Sequence, residues 1–375
     1  MQASHAGNVG RRDLRAMFQG ARILVAPLDW GLGHATRCVP IIRRLVALGA
    51  TPIIGADKGP LALLRAEFPA LEHVVIPGIE VRYARGASLK GTLARQFPRM
   101  LKSVQEERAL FERLRGTLRP DAVISDQRFG LFAPGLPNVL ITHQVFPFAP
   151  LAQRLVRRIN ARLMARFDTL WIPDHAHAPG LAGELDHGAI PRNAYYIGPI
   201  TRLDPALATK PAKHYTIVAV ISGPEPQRTL LEEKLLEQLQ RAPGAHLLVR
   251  GKPGHGAEEQ VGNVTVLPHA DALALTGLLL DAERIISRTG YTTLMDLAAL
   301  GRTALLIPTP GQPEQEYLGE LHARTGRFVV QQQDALDLSR APLATSMASP
   351  ASMTSDNDGD LEQALHALAA RIARR

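Results

Sequence analysis

A short apolar run that breaks into a glycine turn and then a helical pattern occurs twice in this chain, and it constrains the fold more than any other feature. The first instance runs from Arg22-Ile-Leu-Val-Ala26 through Trp30-Gly-Leu-Gly-His34 into Val39, Ile42, Leu45, Val46 and Leu48 at helical spacing, closed by Gly49. The second is Ile285-Ile-Ser-Arg288-Thr-Gly290-Tyr-Thr-Thr293-Leu-Met-Asp296. A strand that feeds a helix pairs in parallel with its neighbour, because the crossover returns the chain in the same direction. Further strands are expected at Thr51–Gly55, His73–Ile76, Asp121–Ser125, Val139–Thr142 and Thr169–Ile172, with a helix near Pro60–Glu67. The pattern restarts after Gly198-Pro199, with strands at Tyr215–Ile221, His246–Val249, Val264–Leu267, Arg284–Ile286 and Ala304–Ile307 and helices at Arg228–Gln240 and Thr292–Leu300. The expected fold is α/β, with two Rossmann-like doubly wound domains over residues 21–200 and 201–340 facing across a cleft. A flexible leader is expected over 1–20, a Ser/Ala/Pro/Thr-rich linker over 341–360 and a last helix over 361–375.

Composition narrows the setting. The chain has 375 residues, enough for two domains at roughly 100–200 residues each. Its longest nearly apolar run, Ala272–Leu280, is about half a membrane span, so no transmembrane helix is expected. The single cysteine, Cys38, excludes an intramolecular disulfide framework and fits a reducing cytoplasm. Residues 1–200 hold 26 Lys+Arg against 15 Asp+Glu, while the remainder holds 17 against 20. A basic first half suits an anionic partner: a membrane surface, a nucleic acid or a phosphorylated substrate.

The first turn, Gly31-Leu-Gly33-His34-Ala-Thr36, departs from the dinucleotide pattern G-x-G-x-x-G, with Arg37-Cys38 where the third small residue belongs. A nicotinamide cofactor is therefore not expected. His34 is suited to general-base work because its free pKa lies near neutrality; the competing reading is a histidine that caps the helix. In the second turn a diphosphate would lie over the helix start near Gly290. Asp296 stands six residues on, about 9 Å along the axis, the span from a phosphate to a nucleotide ribose; otherwise it is an early-helix acid serving the dipole.

Taken together these residues resemble a GT-B glycosyltransferase of family 28, the family of the lipid-linked N-acetylglucosaminyltransferases of peptidoglycan synthesis and of plant galactolipid synthases. The nearest resemblance is to a bacterial branch sharing Pro27-Leu-Asp-Trp-Gly-Leu-Gly-His-Ala-Thr-Arg37, Ser222-Gly-Pro-Glu-Pro-Gln-Arg228 and Pro308-Thr-Pro-Gly-Gln-Pro-Glu-Gln-Glu-Tyr317. It covers about Ile23–Phe328, and its specificity lies in the order and spacing of these segments. It implies an acceptor-side first domain with Gly31 and Gly33 in its glycine loop, and a second domain that binds the nucleotide-sugar donor. His34 matches the candidate base for the acceptor hydroxyl, and Arg202 an interdomain arginine near the donor phosphates. Ser222, Gly223 and Gln227 fall in the loop that approaches the diphosphate. Arg288, Gly290 and Thr293 fall in the helix-start motif, and Asp296 replaces a ribose-binding Glu. Gln315 and Glu316 match a Gln-Gln pair on the donor sugar, with Glu316 a departure. Of an acceptor-facing His-Glu-Gln-Asn string only Gln144 is kept, and Asp126 and Arg128 are expected to face the cleft nearby.

The implied reaction is transfer from a UDP-sugar to a hydroxyl acceptor, lipid-linked in the peptidoglycan enzymes, with inversion and without a metal. No cofactor beyond the donor substrate is implied. Asp356-Asn-Asp358 resembles a metal-dependent transferase string but stands in the expected linker, and Asp174, His175, His177, Asp186 and His187 read as a polar loop rather than a metal set. Leu89, Leu93, Phe97, Leu101 and Val104 recur at helical spacing among basic residues, as do Leu155, Ile159, Leu163 and Phe167 among Arg154, Arg157, Arg158, Arg162 and Arg166. Each segment is either a core-facing helix with a solvated basic face or a helix that lies on an anionic bilayer, which would make the protein peripheral to the membrane. A nucleotide-sugar 2-epimerase on the same fold is the alternative enzyme. A non-catalytic nucleic-acid-binding protein would explain the net charge of +8, but no aromatic stacking platform or binding motif accompanies it.

Overall fold

Strands that read as continuous apolar runs are buried on both faces, and that is how they assemble here. The computed structural model describes residues 14–29, 31–78, 89–149, 152–223, 225–252, 256–340 and 357–374, with the backbone alone for 89–98, 100 and 357–360. The first sheet contains β1 (Arg22–Pro27), β2 (Thr51–Ala56), β3 (Glu72–Val75), β4 (Ala122–Asp126), β5 (Asn138–Ile141), β6 (Thr169–Ile172) and β7 (Ala194–Tyr196), in the spatial order β3-β2-β1-β4-β5-β6-β7. Every pairing in it is parallel. Its helices are α1 (Leu32–Ala47), α2 (Lys58–Glu67), α3 (Leu89–Leu118) and α4 (Gln153–Met164).

The second sheet repeats the plan. It consists of β8 (Ile217–Val220), β9 (His246–Val249), β10 (Glu259–Val261), β11 (Val264–Leu267), β12 (Arg284–Arg288), β13 (Leu305–Ile307) and β14 (Val329–Val330), ordered β10-β11-β9-β8-β12-β13-β14. Only β10 runs antiparallel to its neighbour. Its helices are α5 (Gln227–Arg241), α6 (Ala272–Asp281), α7 (Tyr291–Ala299) and α8 (Pro313–Arg324). A last helix, α9 (Asn357–Ile372), returns to the first sheet's core through Ala364, Leu365, Leu368 and Ala369.

Ligands of doubly wound sheets bind at the carboxyl ends of the strands, where the strand order reverses. Here those points are β1/β4 and β8/β12. The register places Pro27 beside Asp126, which brings the glycine turn after β1 against the end of β4. The two switch points meet where α1 packs on α7.

The expected leader needs correction where it is described. Leu14 and Phe18, on a helical turn over 14–18, are fully buried in the first sheet's core. Residues 1–13 lie outside the described residues, as do 341–356 of the expected linker and Asp356 of the Asp356-Asn-Asp358 string; the side chains of Asn357 and Asp358 do too. The chain also does not divide cleanly at residue 200. Leu181, Ala182 and Leu185, which follow β6, pack in the core of the second sheet beside Leu294 and Leu318.

Candidate active site

Helix starts leave backbone N–H groups without partners, and most helices cover them with a side chain. Asp57 caps α2 and Asp271 caps α6 in this way. The helices that follow β1 and β12 at the switch points, α1 after Gly31 and α7 after Gly290, have no side-chain cap, and neither have α8 after Gln312 and α4 after Ala152, whereas α5 has its Thr229 N–H bonded to Glu225 Oε2 at 3.2 Å. Uncapped starts favour bound anions, both through their N–H groups and through the helix dipole. Gly31 takes φ +112 to enter α1, a conformation that a side chain would strain. Gly33 has a different reason to be small: a Cβ there would meet Thr292 Oγ1 at 2.9 Å, and that hydroxyl donates to the Gly33 carbonyl at 3.3 Å. The glycine thus lets the two halves approach.

His34 projects from the first turn of α1 with its side chain 18% exposed. Its Nδ1 lies 3.2 Å from both oxygens of Asp126, which is fully buried at the end of β4. Arg37, one helical turn on and 1% exposed, forks onto the same carboxylate: Nε donates to Oδ2 at 2.6 Å and an Nη to Oδ1. Its other Nη donates to His143 Nδ1 at 3.1 Å. Because Arg37 can only donate, His143 Nδ1 accepts, and its proton sits on Nε2. That N–H donates to Glu314 Oε1 at 2.8 Å, while Gln144 Nε2 donates to Oε2 at 2.5 Å. Glu314 lies in the first turn of α8, so this network crosses the cleft. Tyr291 stacks on the His143 ring with centroids 4.2 Å apart.

The electrostatics follow from this packing. Burial alone would raise Asp126, but Arg37 and then His34 outweigh it and hold the carboxyl at about 2. Burial and the Arg37 charge push His34 below its ordinary value against the pull of Asp126. Burial likewise works to raise Glu314, and His143 beside it brings the carboxyl below the usual range. At neutral pH His34 is a neutral ring oriented by a carboxylate, the state a proton acceptor requires.

The donor-side residues are placed differently. Gly290 precedes α7, and Thr293 lies half-buried in its first turn. Ser222 and Gly223 are exposed after β8. Asp296 accepts from Thr201 Oγ1 at 2.6 Å, and burial lifts it to about 6 against that bond and the nearby Arg202. Arg202 pairs with Glu67 of α2 at 3.2 Å, bridging the two halves. Gln227 and Arg288 turn inward. Gln227 Oε1 accepts from Gln333, and Arg288 donates to the carbonyls of Gln227, Ile307 and Pro308. Gln315 Oε1 accepts from Thr309 N and Glu316 Oε1 from Gly311 N, so both hold their own loop. Arg128 is a correction: it points away from His34 and bonds Glu107 and the carbonyls of Ile76 and Pro77, fully buried at its side chain. Arg37, His143, Tyr291, Glu67 and Glu314 were not anticipated.

Away from His34, the loop after β6 assembles Asp174, Asp186 and His187, whose ligand-type atoms lie within 4.8 Å of one another and have the chemistry to hold a metal ion. The Leu181 N–H is shared between both Asp174 oxygens, and the N–H groups of His175 and Ala182 add one bond each. Such bonding suits a structural carboxylate equally.

The family model for the glycosyltransferase family 28 C-terminal domain matches residues 226–355. A relative from Methanosarcina acetivorans, named an uncharacterized glycosyltransferase, is 26% identical over 328 residues, covering 79% of each chain. The chain is a GT-B glycosyltransferase with a family 28 C-terminal domain. The UDP-N-acetylglucosamine–N-acetylmuramyl-(pentapeptide) pyrophosphoryl-undecaprenol N-acetylglucosamine transferase of Aeromonas hydrophila is 25% identical to this transferase over 303 residues, 74% of each. The structure of the glycosyltransferase SnogD from Streptomyces nogalater shares its fold with a TM-score of 0.57 at 18% identity, covering 95% of both chains. In the transferase, the turn that carries His34 lies against the start of α7, where Thr292 bonds the Gly33 carbonyl.

Proposed function

We propose that this glycosyltransferase moves a sugar from a UDP-sugar to a hydroxyl acceptor with inversion. The observation that carries the reading is the opposition, at the Gly33–Thr292 contact, of a carboxylate-backed histidine and an uncapped helix start. The donor diphosphate lies on the start of α7, with Ser222, Gly223, Gly290 and Thr293 beside it, and the ribose reaches Asp296 by displacing Thr201. The acceptor oxygen attacks the anomeric carbon as its bond to the diphosphate breaks. His34 Nε2 takes the hydroxyl proton, Nδ1–H donates to Asp126, and UDP leaves with its charge stabilised by the start of α7 and Arg202. The scheme uses no metal ion.

That the Aeromonas hydrophila relative is named for a UDP-sugar donor and a lipid-linked acceptor supports both as substrate classes here. A cytoplasmic, membrane-peripheral setting goes with such an acceptor. No helix among the described residues is long and apolar enough to cross a membrane. The surface that suits an anionic bilayer is α4, where Arg154, Arg158 and Arg162 are exposed and Leu155 is 56% exposed. In α3 the side chains of Leu89, Leu93 and Phe97 lie outside the described residues.

Thermal unfolding with UDP, TDP, GDP, ADP and NAD at matched concentrations tests the donor assignment, since a ligand of the native state raises the midpoint. Selective stabilisation by UDP, lost in Asp296→Ala, is expected. Equal indifference to every nucleotide would overturn it.

A further inference from the structure

His34 Nδ1 faces two groups of opposite charge, Arg37 Nη2 at 2.8 Å and Asp126 at 3.2 Å. Asp126 alone would favour an imidazolium, as a carboxylate does beside any histidine. Its charge, however, is already matched by the two-pronged Arg37 fork. A protonated ring would place a second positive charge within 2.8 Å of the guanidinium, whereas the neutral ring with its proton on Nδ1 keeps the bond to Asp126 and leaves Nε2 free to accept a proton. Arg37 is in turn held from the far side by His143, whose tautomer is fixed by Glu314 of α8.

We propose that Arg37 is a positioning residue that keeps His34 in its neutral, proton-accepting form, and that His143 and Glu314 hold Arg37 in that role from across the cleft. The inference rests on the reading of His34 as the base. Among the described residues, the charged and titratable groups that act on the ring are Arg37 from α1, Asp126 from β4, His143 from the loop after β5 and Glu314 from α8. Cys38 and Tyr291 act on Arg37 in the same pocket. Docking the donor half thereby prepares the base in the other half. Without Glu314 opposite, nothing on α8 would fix the His143 tautomer that accepts from Arg37.

The test reads protonation directly and needs no substrate. Full-length protein labelled with 15N at histidine is titrated by multiple-bond proton–nitrogen spectra, with His34 identified by the signal lost in His34→Gln. In the native protein the His34 midpoint is expected below about 6.5, the ordinary histidine value. Arg37→Gln is expected to raise it by about one unit or more, because Asp126 then acts unopposed. His143→Leu, which removes Arg37's third anchor, is expected to raise it less, and His143→Gln, whose amide both accepts and donates, to restore the native midpoint. An unmoved midpoint in Arg37→Gln overturns the proposal. If that variant fails to fold, equal midpoints in His143→Leu and His143→Gln overturn it. UDP stabilisation measured on the same samples keeps the two readings apart: the expected midpoint shifts without UDP binding remove the UDP-donor reading alone, and UDP binding with unmoved midpoints removes the role of Arg37 alone.

Discussion

At the end of β1 the charged side chains bond one another, so that His34, Arg37, Asp126, His143 and Glu314 form one continuous network, whereas at the end of β12 the charged residue Arg288 turns back onto the carbonyls of Gln227, Ile307 and Pro308. The backbone plan is the same in both places: parallel strand, glycine turn, uncapped helix. What differs is what the turn offers to the cleft. The first offers a titratable side chain with its charge environment set by neighbours. The second offers mainly backbone N–H groups and small side chains, with its cation buried as a strut; burial alone brings Arg288 down to about 10. Repeating a fold does not repeat a function, because chemistry resides in side chains and anion binding in the backbone.

The sharpest way to break this comparison is His34→Ala. Transfer should fall by at least about 10²-fold, the low end for loss of a general base, while UDP affinity measured by calorimetry stays within about twofold. A parallel loss of UDP affinity would move His34 to the donor side. Next in size is the contrast between the two buried cations' surroundings. Asp126→Ala should cost about 3–5 kcal/mol in urea unfolding because it leaves Arg37 buried without its counter-charge. Arg288→Met should cost about 1–3 kcal/mol, since it strands carbonyls rather than a charge. A reversed order would mean that the second turn, not the first, is the electrostatic keystone.

Asp296 sharpens the comparison through pH. Its folded value of about 6 exceeds the free value of 3.8, so the protonated form is the one the fold favours. That contribution is fully present below the free value and is lost as pH rises through about 6. Asp296→Asn should therefore match the native protein at pH 4 and exceed it in unfolding midpoint at pH 7.5. A constant difference at both pH values would show that Asp296 does not titrate as placed. The smallest effect concerns α4: Leu155→Asp with Arg158→Glu should reduce sedimentation with phosphatidylglycerol vesicles several-fold, at about 1 kcal/mol per arginine near the surface. Unchanged sedimentation would leave α4 a solvated helix.

The central parallel strands were legible because burial on both faces forces an uninterrupted apolar run, as in Thr169–Ile172 and Val264–Leu267. The edges β7, β10 and β14 were not, since a half-exposed strand such as Glu259–Val261 carries no such run. His34 was legible from its glycine turn, and Asp126 from ending a strand. Their partners were not, because His143 and Glu314 are brought together across 171 positions by the packing of two sheets, which leaves no local pattern. One signal was available. Arg37 sits between Thr36 and Cys38 on the buried stripe of an amphipathic helix, where a charge needs a partner. Arg128 misled for the converse reason, since adjacency to the end of β4 does not decide which side of the sheet a loop residue enters.

Leu181, Ala182 and Leu185 leave the first half to fill the core of the second, and α9 leaves the second half to fill the core of the first. Each half thus owns a piece of the other. Recombining donor and acceptor halves between related enzymes by a single splice near residue 200 would carry the wrong plug into one core and the wrong clasp onto the other. A working chimera needs the 179–187 segment to travel with the donor half and α9 with the acceptor half, so the units of inheritance that stay compatible are interlocked rather than consecutive.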